Sequence, residues 1–173
     1  MPGSPLLFID VDGVISTYGF AGNPADPRAG ERPPGGTFHM VDGIVHHIGP
    51  GMGERIRTLL PYFESVWATG WGERANEHLV LILDLPGELE VVEFDVKPST
   101  DGSGHWKLDS LTERAQGRAA AWIDDGHNEA CVAWAEARIE PTLLISTDPF
   151  DGLTDDQVDE LIGWASVQTI NAP

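Results

Sequence analysis

The chain has 173 residues, is 41% apolar, and carries 28 Asp and Glu against ten Lys and Arg, a formal charge of −18. That length suits one domain, residues 1–173, with a sizeable core; the charge excludes a surface built for extended duplex nucleic acid, because the outer field repels polyanions and no basic stripe offsets it. No apolar run is long enough for a membrane span, residues 1–20 lack the basic n-region of a leader, and the single cysteine, Cys131, excludes an internal disulfide framework, so a cytoplasmic protein is expected.

Leu6-Leu7-Phe8-Ile9 reads as a strand buried on both faces, and it runs into Asp10-Val11-Asp12-Gly13. Such a run can be an ordinary strand-to-turn exit, since Asp and Gly both favour turns. A calcium loop is excluded: a strand precedes it, and its twelfth position is Ala21. Two acids at the carboxyl end of a central strand repel unless a cation or a shared proton separates them, and that edge of an α/β sheet is where ligands bind.

Residues 18–36, rich in Gly and Pro, read as a flexible loop, and 37–48 as a hairpin flap turning at Asp42-Gly43. His46 and His47 are adjacent on a strand and face opposite ways, so a surface position is expected rather than a shared metal. Apolar spacing predicts a helix over Gly53–Phe63, a strand over Ser65–Ala68 ending at Thr69, and a helix over Gly72–Leu83. A third strand is expected over Leu89–Phe94, and a helix over Trp106–Gln116 with Lys107 in its first turn, where a cation opposes the macrodipole. Ala119–Ile123 forms a fourth strand delivering Asp124 and Asp125, followed by a helix over Glu129–Arg138 that buries Cys131. A fifth strand spans Thr142–Ser146, and Thr154–Gln157 is a capping box for a helix through about Val167. Alternating strands and helices predict an α/β, Rossmann-like three-layer sandwich: a mostly parallel five-stranded sheet, the flap, and no room for a cap domain.

A parallel sheet gathers its strand exits at one edge. Asp10, Asp12, Thr69, Asp124 and Asp125 therefore meet there, with Lys107 from the helix before the fourth strand. The set contains what phosphoryl transfer to a carboxylate requires: a nucleophile, a second acid, ligands for Mg²⁺, and a hydroxyl and an ammonium for phosphate oxygens. Lys97 is a rival for the ammonium. Asp148 and Asp151 read as turn and helix-entry residues, Trp122, Trp134 and Trp164 as core, and Trp71 and Trp106 as flanking the motifs.

On these residues the chain resembles the haloacid dehalogenase-like (HAD) hydrolases. Phe8-Ile9-Asp10-Val11-Asp12-Gly13-Val14 matches the first motif, Val66-Trp67-Ala68-Thr69 the second, Lys107 the third and Trp122-Ile123-Asp124-Asp125 the fourth. Trp67-Ala68-Thr69-Gly70-Trp71 with His105-Trp106-Lys107 is similar to the capless HAD domain of Swiss-Army-knife RNA repair proteins. The resemblance implies an aspartyl phosphate on Asp10, proton transfer by Asp12, and phosphate held by Thr69 and Lys107. It implies Mg²⁺ on Asp10, the Asp12 carbonyl and an acid of the fourth motif, Asp125 directly with Asp124 behind it, or the reverse. The expected substrate is an exposed phosphate monoester, on a phosphorylated small molecule or a nucleic-acid end. A polynucleotide-end phosphatase and a catalytically idle binding module are the alternatives.

Overall fold

The computed structural model describes residues 4–18, 28, 31, 35–94 and 105–170. The Gly/Pro loop over 18–36 and Lys97 fall mostly or wholly outside these residues.

Five strands form one wholly parallel sheet: β1 (Leu6–Ile9), β5 (Glu64–Trp67), β6 (Glu90–Val91), β7 (Ala120–Asp124) and β8 (Thr142–Ser146), in the order β6-β5-β1-β7-β8. Every residue of β1 is fully buried, as its unbroken apolar run requires at the centre of a sheet covered on both faces. Period-two alternation assigns the faces. Leu7 and Ile9 pack with α1 (Met52–Leu59), α2 (Arg74–Ile82) and α5 (Asp155–Ile170), whereas Leu6 and Phe8 pack with α3 (Leu108–Arg114) and α4 (Glu129–Ala137). The result is the expected three-layer Rossmann-like sandwich.

Several elements differ from expectation in extent. β6 holds two residues rather than Leu89–Phe94: only Glu90 and Val91 pair with β5. The helix expected over Trp106–Gln116 is trimmed to α3, and Lys107 becomes its N-cap residue. α5 runs past Val167 to Ile170, and its capping box is present, with Thr154 N–H donating to Gln157 Oε1 at 3.0 Å and Gln157 N–H to Thr154 Oγ1 at 3.4 Å. The flap is more than a hairpin. β3 (Thr37–Val41) and β4 (Ile44–Ile48) are joined by β2 (Ser16–Thr17) in a three-stranded antiparallel sheet, order β2-β4-β3, which anchors them to the turn after β1. Among the described residues no cap domain interrupts the chain: β2 to β4 and α1 lie between β1 and β5, and only α2 and β6 between β5 and α3.

Asn76 ties the β5–β6 crossover. Its Oδ1 accepts from Trp67 Nε1 at 2.9 Å and from Leu89 N–H at 3.0 Å, and its Nδ2 donates to Leu89 O at 2.9 Å. At the start of β5, Glu64 receives two bonds from Arg118 (2.8 and 3.0 Å) and one from Arg114 (2.6 Å). Those bonds, Arg118's foremost, pull its carboxyl from the ordinary 4.5 down to about 2. A depressed carboxyl stabilises the fold above its unfolded value and ceases to do so as pH falls through the folded one. We therefore expect urea unfolding to show a stability loss between about pH 4.5 and 2 that Glu64→Gln makes shallower. An identical acid limb in the variant refutes this; solvent at the pair keeps the effect modest.

Candidate active site

The exits of β1, β5 and β7 converge as the parallel topology requires. Asp10 follows β1 and has a side chain only 11% exposed. Its backbone continues the ladder, Asp10 N–H donating to Ile123 O at 3.1 Å. Thr69, two residues past β5, is buried, and its Oγ1 accepts from Trp71 N–H at 3.3 Å.

Lys107 is the pivot. It is 98% buried, and its Nζ lies 2.6 Å from Asp124 Oδ2 and 3.0 Å from Asp10 Oδ1. Instead of capping α3, the side chain spends its charge between two carboxylates, which answers why a lysine stands at a helix N-terminus against the macrodipole. Asp124 is held by more than the lysine: Trp122 Nε1 donates to the same Oδ2 at 3.1 Å and Gly126 N–H to Oδ1 at 2.9 Å. His105 Nε2 stands 3.9 Å from Asp124 Oδ1, but burial holds its imidazole below the ordinary value. At neutral pH the positive charge at this spot is therefore the lysine's.

One ammonium does not neutralise the cluster. Asp10, Asp124 and Asp125 each offer a carboxylate oxygen, and these lie within 4.8 Å of one another. Burial, with Asp124 adding to it and Lys107 opposing, pushes the Asp10 carboxyl up to about 6. A converging set of hard oxygen donors with excess negative charge suits a small divalent cation. Asp125 approaches Asp10 because residue 13 is glycine: Gly13 has φ +76°, and a Cβ there would overlap the Asp125 carboxylate. Asp125 also accepts a short hydrogen bond from the Tyr18 hydroxyl.

Asp12 stands apart from the carboxylate cluster, its side chain 54% exposed. Trp71 Nε1 donates to its Oδ2 at 3.0 Å, and His46 Nδ1 lies 3.8 Å from its Oδ1. His46 corrects the expectation of a surface histidine. It is 12% exposed, bonded to Ser16 Oγ at 2.8 Å, and packed edge-on against the Trp71 ring, with centroids 4.7 Å apart. His47 is buried too and turns the other way, its Nδ1 2.7 Å from Thr17 Oγ1. The missing signal was β2, whose serine and threonine receive both rings and which at two residues shows no periodicity.

Asp148 and Asp151 are not in the cluster; both pair with Arg28, at 2.6 and 2.9 Å. Beside Thr69 a cleft opens between Glu73, Val92, Glu93, Phe94 and Trp106, with the Phe94 and Trp106 rings 4.7 Å apart. Among the described residues no helix is long and apolar enough to cross a membrane.

No curated protein matches the chain. Residues 6–158, which carry the exits of β1, β5 and β7 and Lys107, match the family model described as the HAD domain in Swiss Army Knife RNA repair proteins, so the chain belongs to that family and is a HAD-type hydrolase domain.

Proposed function

We propose that the protein is a Mg²⁺-dependent phosphatase that works through an aspartyl phosphate on Asp10. The observation that carries this reading is the packing of Asp10, Asp124 and Asp125 within 4.8 Å around one edge, with Lys107 between the first two. An Asp10 oxygen attacks phosphorus as the bond to the leaving oxygen breaks; that oxygen keeps the electron pair and takes a proton from Asp12. Water then attacks the aspartyl phosphate and gives a proton to Asp12, and the bonding pair returns to the Asp10 carboxylate. Thr69 and Lys107 hold the phosphoryl oxygens during both steps. Mg²⁺, when bound, would neutralise charge on the phosphoryl group. Its holders would be Asp10, the Asp12 carbonyl and Asp125, because both Asp124 oxygens already serve Lys107, Trp122 and Gly126. A cytoplasmic setting, with Cys131 a buried thiol, goes with this reading.

The substrate is a phosphate monoester presented at an open edge. A nucleic-acid end is the second reading, favoured by the Phe94–Trp106 wall beside Thr69, on which a base can stack. Glu73 and Glu93 in that cleft, and the charge of −18, disfavour a long polyanion. Hydrolysis of an aryl phosphate with Mg²⁺ is expected, to vanish with EDTA and to return when Mg²⁺ is restored. Turnover indifferent to chelation sinks the reading. Phosphate release from 3′-phosphorylated oligonucleotides alone selects the second substrate.

A further inference from the structure

Asp12 raises a problem that Asp10 does not. Its carboxylate is half exposed, and an exposed side chain on a turn samples several rotamers. Proton transfer to a leaving oxygen demands one rotamer and one oxygen. Trp71 meets both demands. An indole N–H donates and never accepts, so the oxygen it contacts is an acceptor in either charge state of the acid. With Nε1 on Oδ2 at 3.0 Å, Oδ1 is the oxygen that the indole leaves open to a leaving group.

The indole is itself held. Trp71 lies two residues past Thr69, its N–H bonded to Thr69 Oγ1, and its carbonyl accepts from Arg74 N–H at 3.3 Å as α2 begins. His46, from β4, closes the other side: its ring meets the indole at 66°, and Ser16 Oγ fixes its Nδ1. Ser16 also bridges back to Asp12 through the backbone, and its carbonyl accepts from Gly13 N–H at 2.8 Å. The flap sheet, the β5 exit and the β1 exit thus brace one carboxylate.

We infer that Trp71 is a positioning residue for proton transfer, fixing Asp12 so that Oδ1 delivers the proton to the leaving oxygen. The inference rests on the phosphatase reading above and goes beyond it. The role separates from simple structural support by leaving group. A good leaving group departs without a proton, whereas a poor one needs the acid.

The test is kcat/KM of wild type, Trp71→Phe and Trp71→His, with Mg²⁺, on glycerol 2-phosphate (poor leaving group) and 2,4-dinitrophenyl phosphate (good). Trp71→Phe should lose about 10- to 100-fold on the first and less than about 3-fold on the second, within the range of general acid catalysis. Trp71→His, which keeps an N–H, should recover part of the loss. In an Asp12→Asn background Trp71→Phe should add nothing, since the two act as one unit. Equal losses on both substrates, or none, overturn the positioning role. A wild type inert toward both overturns the phosphatase reading and this inference with it, and so is told apart from failure of the inference alone.

Discussion

Asp10→Asn is expected to lower kcat/KM by about 10³-fold or more and to leave no covalent phosphoenzyme in acid-quenched single turnovers, since an amide cannot serve as the nucleophile. The same variant should be at least as stable as wild type at pH 7. The Asp10 carboxyl is pushed up to about 6, chiefly by burial. A raised carboxyl favours the fold at low pH, and that contribution is lost as pH rises from its unfolded value through the folded one. At pH 7 the ionised group therefore costs stability that a neutral amide does not. Activity lost with the melting temperature held or raised is the signature of a site that keeps an unfavourable charge for its chemistry. Residual turnover near wild type would show that the attacking group lies elsewhere.

Lys107→Met is expected to have the largest effect on folding. The ammonium is 98% buried between Asp10 and Asp124, and no other described cation touches either carboxylate at salt-bridge distance except His105, whose imidazole burial keeps neutral. Removing it strands two carboxylates out of water, a change that costs about 3–5 kcal/mol when one partner of a buried pair is deleted. Urea unfolding at pH 7 measures it. The deficit should shrink at pH 5, where Asp10, pushed up to about 6 by burial, takes a proton and relieves part of the stranded charge, and also when Mg²⁺ is added. A cost under about 1 kcal/mol would mean that water reaches the cluster and that the lysine is a surface group.

How much of this was legible in the sequence depended on how local the governing interaction is. β1 was readable to the residue because a strand at the centre of a covered parallel sheet needs an unbroken apolar run, and β8 because Leu143-Leu144-Ile145 sits between Pro141 and the polar Ser146-Thr147. The convergence of Asp10, Asp124 and Asp125 was readable because topology, not contact, brings strand exits together. Trp122 shows the limit of assigning one role per residue. It is core, as expected, yet two positions before Asp124 on the same strand its indole is placed to bond that carboxylate, as period two allows. Trp71, His46 and Tyr18 could not be assigned. Their partners lie across separate elements, and nothing in the spacing said that Ser16 and Thr17 would recruit the flap or that a loop hydroxyl would reach Asp125.

The missing side chain at Gly13 ties the two acidic exits to each other more tightly than their separation along the chain suggests. The turn after β1 and the acid after β7 occupy adjoining space with no slack, so neither can be altered alone. Any residue larger than glycine at 13 would push Asp125 outward, and on the proposed function a change confined to a turn would surface in kinetics as poor cation affinity, with Asp10 intact.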